Sequence, residues 1–208
     1  MVELAPTTSR RALLGALAKA PVAVVLVPRI PSPSERMLSA LSDDYGDDPV
    51  KLVRSKAGRS LSRERYRRAE EFFPREGPIA PAGWSDFLYT VGISVQLGLS
   101  AHLLDVGFPD AWCARHIGLR IAKSLAYANA TGFNHECPHM ARLALVLTPY
   151  WKWNRPRLFG EAQPDDGGFA PDEVRVLLRA LLDHVQRVTG HKSSRSPNRR
   201  PVNSGLSA

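Results

Sequence analysis

Apolar residues alternate with small or polar ones over a long stretch near the middle of the chain. Seven apolar residues recur at every second position of segment 91–103, which by itself is typical of a half-buried strand. Thirteen residues are many for a strand, and the chain contains no comparable partner for it. Ser94, Gly98 and His102 also fall four apart, on one side of a helix. We therefore predict a buried helix over residues 84–104.

Proline and capping residues mark the starts of the other predicted helices. Ser34 is expected to cap a short helix over residues 35–41. Four longer segments also begin at a proline: 49–73, 109–129, 138–147 and 171–189. The last of these has a continuous apolar face and ends at Gly190, whereas residues 150–168 are predicted to form a loop.

These segments predict an all-α fold, an irregular single-domain helical bundle of about five helices. We expect the helical domain to span residues 29–190, between a leader or extended N-terminal arm (1–28) and a disordered basic tail (191–208). Segment 87–104 contains no charged residue and approaches the length of a membrane span. Because Gln96 and His102 lie inside it, burial within the protein is favoured, and we do not expect an integral membrane protein.

The positive charge is concentrated in the ends of the chain and in one internal segment. The formal net charge is +8, and the tail from residue 191 contains four Lys and Arg residues and no acid. Residues 51–68 contain eight basic residues and one acid, directly after the acidic stretch SDDYGDD. Such a segment is typical of a solvated helix face, and it can also attract phosphate groups or an anionic membrane surface.

Two adjacent arginines precede an apolar stretch near the N-terminus. The pattern Ser/Thr-Arg-Arg-x-Phe/Leu-Leu is matched by Ser9, Arg10, Arg11, Leu13 and Leu14. Gly15 stands where lysine is usual, and residues 12–27 are apolar apart from one lysine. Residues 9–27 therefore resemble a bacterial twin-arginine signal peptide. The resemblance implies export to the periplasm, with the export machinery as a partner.

A cleavage site for such a leader is not evident. Ala18 and Ala20 provide the small-x-small spacing, but Pro21 follows directly and obstructs the peptidase. Three interpretations stay open. The protein is exported with a retained or poorly cut leader, or its leader is cut at an atypical site, or it is cytoplasmic with a chance match and residues 22–27 pack as an arm against the body.

Residues 113–128 contain an alanine at position 114 and a glycine at position 118 with the spacing of a helix-turn-helix motif, which the segment resembles. Ser124 and Tyr127 stand where aliphatic residues are usual. The resemblance implies a nucleic-acid partner. Its phosphates would be contacted by Arg63, Arg65, Arg67, Arg68, Arg120 and Lys123. The competing interpretation is one unbroken helix through residues 111–129.

Cysteine and histidine residues form two local groups. His135, Cys137 and His139 have the spacing of metal ligands, and Cys137 precedes a predicted helix, where a thiolate nucleophile is favoured. Cys113 and His116 form the other group. An unbroken helix of about 20 residues would hold the two groups roughly 30 Å apart, too far for one zinc site or a disulfide. A weak metal site at residues 135–139 stays open beside the simpler interpretation, a surface turn.

The common catalytic motifs do not occur in this sequence: no phosphate-binding loop, serine-hydrolase elbow, zinc-protease or kinase pattern is found. We therefore predict a non-enzymatic helical protein without a cofactor, exported by the twin-arginine route and binding an unidentified partner through an exposed surface. The alternative prediction is a cytoplasmic nucleic-acid-binding module with a helix-turn-helix-like turn at Gly118.

Overall fold

The computed structural model describes residues 31–192, and the regular structure in that range is entirely helical. Eight α-helices lie there: α1 Pro33–Tyr45, α2 Lys56–Glu71, α3 Trp84–Val106, α4 Asp110–Trp112, α5 Ile121–Ala130, α6 Pro138–Val146, α7 Arg155–Phe159 and α8 Pro171–Thr189. Two 3₁₀ turns, Pro81–Gly83 and Tyr150–Asn154, and a π-helical turn, Cys113–Ile117, complete the elements of this range. The all-α class is confirmed, and the described residues contain more helices than the five predicted.

Helix α3 forms the centre of the fold and contacts α2, α5 and α8. Fourteen of its 23 residues are buried, so the prediction of a buried helix, not a strand, is confirmed. Small side chains allow its neighbours to approach closely. Ser94 Oγ donates to the Ala69 carbonyl of α2 at 2.7 Å, and a Cβ atom on Gly98 would lie only 2.9 Å from Leu182 Cδ2 of α8.

The same helix, counted with the turn before it, is long and apolar enough to cross a bilayer, and it is the one such helix within residues 31–192. Of its apolar window, 72% is buried by the rest of the protein. Burial on this scale is typical of a core helix. The expectation that the chain is not an integral membrane protein stays a prediction.

Helices α1 and α2 begin at different residues from those predicted. Helix α1 is capped by Ser32, not Ser34, because Ser32 and Glu35 form a reciprocal capping box. Helix α2 begins at Lys56, not at Pro49. Its cap is Ser55, and the segment before it is extended because the Val53 N–H donates to the Gly107 carbonyl at 3.0 Å, at the end of α3.

The predicted unbroken helix over residues 109–129 is wrong. The helix begun by α4 widens into the π-helical turn Cys113–Ile117, where the Gly118 N–H donates to the Cys113 carbonyl at 2.9 Å. Gly118 then has φ 58° and ψ −127°, a conformation open to glycine and strained for other residues. Helix α5 starts three residues later, so the turn predicted at Gly118 is present.

The folded body extends to His191, one residue into the segment predicted as a tail. Gly190 ends α8 with φ 69°, as predicted. The His191 imidazole is buried, with Nε2 2.6 Å from Ser62 Oγ of α2. The rest of the predicted tail from residue 193, and the predicted leader or arm (1–28), lie outside the described residues.

Candidate functional site

A groove of about 520 Å³ is lined by one side of α2 and one side of α3. Helix α2 and its C-cap contribute Arg65, Arg68 and Phe72, which are spaced three and four apart and so share one helix face. Helix α3 contributes a second stripe with the same periodicity: Ile93, Gln96, Leu97 and Ser100. The volume falls within the range of roughly 300–1,000 Å³ that is typical of small-ligand pockets.

The third wall of the groove is the interrupted segment between α4 and α5. Cys113 and Ala114 line it from the π-helical turn, and Gly118 and Leu119 line it from the turn that follows. The side chain of Leu119 is half exposed although it is large and apolar. Single π-helical turns occur often at functional sites, and here the turn forms part of the lining.

Tyr150 also lines the groove and depends on a glycine of α3 for its position. A Cβ atom on Gly92 would collide with the Tyr150 side chain, so only glycine lets Tyr150 lie this close to α3 at that point. Burial, with the Tyr89 hydroxyl nearby, raises the pKa of Tyr150. Its hydroxyl is therefore neutral at physiological pH.

The charged groups of the groove are two arginines and one aspartate. Arg65 Nη2 lies 3.4 Å from Asp110 Oδ1, which joins α2 to α4 across the rim. Arg68 is exposed and has no ion-pair or hydrogen-bond partner for its guanidinium among the described side chains. The three groups together leave one net positive charge at the groove.

The remaining polar groups of the groove are suited to binding. Burial, together with the charge of Asp110, raises the pKa of the Cys113 thiol to about 12, so this cysteine is a neutral thiol and a poor nucleophile at pH 7. The amide of Gln96 is fixed by paired hydrogen bonds with Ser124 Oγ at 3.0 and 3.2 Å. The groove thus places polar groups that are fixed by hydrogen bonds beside an apolar floor, which is formed by Phe72, Ile93 and Leu97.

The six residues predicted to contact phosphates do not share one surface. Arg65 and Arg68 line the groove, while Arg63 and Arg67 lie on the outer face of α2. Arg120 is exposed at the start of α5. Lys123 is buried, and its Nζ lies 2.7 Å from Asp47 Oδ1, which removes it from any docking surface.

Helix α5 also differs from a recognition helix, because seven of its ten residues are buried against the body. A recognition helix must present one face to the major groove of DNA. The turn at Gly118 therefore has the local form of the motif without an exposed second helix.

Asp47 forms a buried polar cluster that the sequence did not reveal. Besides Lys123, it accepts a hydrogen bond from the Tyr127 hydroxyl at 2.6 Å. Burial alone would raise the pKa of Asp47, but these hydrogen bonds and the Lys123 charge outweigh it and lower the pKa. His116 lies 3.5 Å from Asp47 and 3.3 Å from Asp48. The cluster fixes the π-helical turn, and with it one wall of the groove.

The trio proposed as a metal site does not converge. Within residues 31–192 no three His, Cys, Asp or Glu side chains are placed to hold a metal ion. His139 Nδ1 lies 3.1 Å from Glu173 of α8, whereas the His135 ring packs 5.1 Å from that of His184. Burial and the nearby His184 and Arg187 lower the pKa of His135. Cys137 is a free thiol, as is Cys113.

The export motif Ser9, Arg10, Arg11, Leu13 and Leu14 lies outside the described residues. Comparisons of the chain with protein-family models, with curated proteins and with solved structures found no match. Function must therefore be inferred from the groove and from the sequence itself.

Proposed function

We propose that this protein is a non-enzymatic binding protein that is exported by the twin-arginine route and holds a small, partly apolar ligand in the groove between α2 and α3. The observation that carries the proposal is the groove itself. Its volume of about 520 Å³ and its apolar floor with a few fixed polar groups are those of a small-molecule site.

The walls of the groove support binding without large rearrangement. Helix α3 is anchored in the core by its buried residues, and the π-helical turn is held by His116 and by Trp112, whose Nε1 donates to the Asp48 carbonyl at 3.1 Å. A preformed site loses less conformational entropy when the ligand binds. The neutral Cys113 thiol favours binding over thiol chemistry.

Titration with N-phenyl-1-naphthylamine, an uncharged apolar fluorophore, tests this proposal. We expect saturable binding to one site on the full chain. Ala114→Trp should weaken it at least about tenfold, because the indole fills the groove, a loss that corresponds to about 1.4 kcal/mol. Ala111→Trp is the matched control, since Ala111 is also exposed, on the adjoining α4, but does not line the groove.

Two results would contradict the proposal: binding that does not saturate, and equal binding by the two tryptophan variants. Melting curves of both variants check that neither substitution has unfolded the protein. Because the two substitutions add the same side chain three residues apart, a general effect of surface hydrophobicity appears in both.

A second candidate function, nucleic-acid binding, is supported by the outer face of α2. Lys56, Arg59, Arg63 and Arg67 are exposed there at helical spacing. If this stripe binds phosphates, duplex DNA should bind at ~50 mM salt and dissociate as salt rises. Replacing Arg63 and Arg67 by Glu should then abolish binding and leave the groove intact. No binding of the natural sequence at ~50 mM salt would dismiss this candidate.

A further inference from the structure

We propose that the ligand of the groove is a single-chain amphiphile whose head is a carboxylate, bound by Arg68 while its chain lies on the apolar floor. This inference rests on the proposed binding function and adds the chemical class of the ligand. Its basis is the position of one unpaired cation at the edge of an apolar surface.

Two of the five arginines of α2, Arg63 and Arg68, have no carboxylate partner within residues 31–192, and of these two only Arg68 lines the groove. Arg59 is 4.0 Å from Asp105, Arg65 is 3.4 Å from Asp110, and Arg67 is 3.7 Å from Glu71. Arg68 has no such contact within residues 31–192 and lines the groove. A guanidinium binds a carboxylate through two parallel hydrogen bonds, so an anionic head would supply the partner that α2 lacks here.

Asp110 limits the charge of the head. Its carboxylate lies at the same rim and repels anions, but it is already engaged by Arg65. One net positive charge remains for the ligand. A singly charged carboxylate balances it, whereas a head with several negative charges would leave an excess beside Asp110.

The apolar floor begins directly beside Arg68 and accounts for the chain of the ligand. Phe72 lies one helical turn after Arg68 on the same face, and Ile93 and Leu97 face it from α3. Leu119 adds an apolar side chain from the third wall. Each methylene buried here should raise the affinity about fourfold.

Calorimetric titration of the full chain with three probes distinguishes the contribution of the head to the affinity from that of the tail. Decanoate carries both, 1-decanol carries only the tail, and acetate carries only the head. We expect decanoate to bind at least about tenfold more tightly than decanol, as hydrogen bonds to a charged group predict. Acetate should not bind measurably.

Two variants test whether Arg68 is the residue that binds the carboxylate head. Arg68→Gln should lower the affinity for decanoate at least about tenfold and leave that for decanol unchanged. Arg67→Gln is the matched control, because Arg67 is the adjacent residue on the same helix and points away from the groove to Glu71. It should bind both probes like the natural sequence.

The outcomes distinguish this inference from the function on which it rests. Equal affinities for decanoate and decanol, or an Arg68→Gln variant that still prefers decanoate, would overturn the carboxylate head while the naphthylamine result keeps the binding function. If acetate bound as tightly as decanoate, the chain would contribute nothing to the affinity, and the proposal of an amphiphilic ligand would be overturned. If none of the probes binds, the naphthylamine included, both proposals fail.

Discussion

Asp47 and Lys123 form a buried ion pair whose side chains are only 5% and 2% exposed. Removing one partner of such a pair leaves an uncompensated buried charge, which costs about 3–5 kcal/mol. We therefore expect Lys123→Met to lower the free energy of unfolding by about that amount in urea denaturation. The double variant Asp47→Asn/Lys123→Met should recover much of the loss, because it buries no charge. Equal stability of the single and double variants would contradict this account.

His102 makes the stability of the fold depend on pH. Burial, with the charges of His184 and Arg54, lowers the pKa of His102 to about 4. The unfolded chain takes up this proton near pH ~6.5, so the unfolded state binds more protons between these values. The free energy of unfolding should therefore fall by about 3 kcal/mol as the pH drops from 6.5 to 4.

Urea denaturation at several pH values measures this dependence. His102→Gln should give a flatter profile than the natural sequence over the same range, because glutamine does not titrate. Other histidines stay in both proteins, so the difference between the two profiles reports His102. Profiles of equal slope would show that His102 does not supply the effect.

The chemistry of single residues could be predicted from the sequence only in part. The positive charge of Arg65, Arg68 and Lys123 was evident, and phosphate contacts were expected for these residues only in the nucleic-acid-binding alternative. Lys123 instead pairs with Asp47, 76 residues earlier in the chain. No local pattern could reveal that pairing, nor that Arg68 would face a groove.

At the scale of elements, Gly107 joins the end of α3 to the extended segment before α2. It has φ 111°, and a Cβ atom there would lie 2.8 Å from the backbone N of Val53. Gly107→Ala should therefore lower the free energy of unfolding by at least about 3 kcal/mol, from backbone strain and the collision together.

Gly132 provides the control, because it also has a positive φ, 88°, but has no atom within 4 Å of the added Cβ. Gly132→Ala should cost only about 1 kcal/mol, for backbone strain alone. Chemical denaturation of both variants measures the difference. Similar losses would mean that the contact with Val53 does not constrain this junction.

Helices with local signals were predicted well. Helix α6 begins at Pro138 and α8 begins at Pro171 and ends before Gly190, as predicted. The interruption at Gly118 was expected only in the helix-turn-helix alternative, because the flanking residues favour a helix. Tertiary contacts fix it, above all those of His116 with Asp47 and Asp48. The groove therefore could not be foreseen, since its third wall exists only where the helix is interrupted.

At the scale of the whole molecule, the compartment decides which ligands the protein meets. In a Gram-negative host, we expect periplasmic protein from the natural sequence and cytoplasmic protein when Arg10 and Arg11 are both changed to Lys, because the twin-arginine pattern is then lost. Cell fractionation shows in which compartment the protein lies, and intact-mass measurement shows whether its leader has been cleaved. Lys19→Arg, which keeps the pattern, is the control. Full-length cytoplasmic protein from all three sequences would dismiss export.

The proposed binding function depends on ligand contact at the groove, and the most direct test is NMR of the full chain labelled at Ile and Leu methyl groups, with and without N-phenyl-1-naphthylamine. We predict shifts at Ile93, Leu97 and Leu119, which line the groove. Leu145 and Leu158 should not move, although they are 66% and 57% exposed against 43% for Leu119. Shifts at Leu145 and Leu158 that match or exceed those of the groove residues would mean non-specific adsorption and would contradict a binding site between α2 and α3.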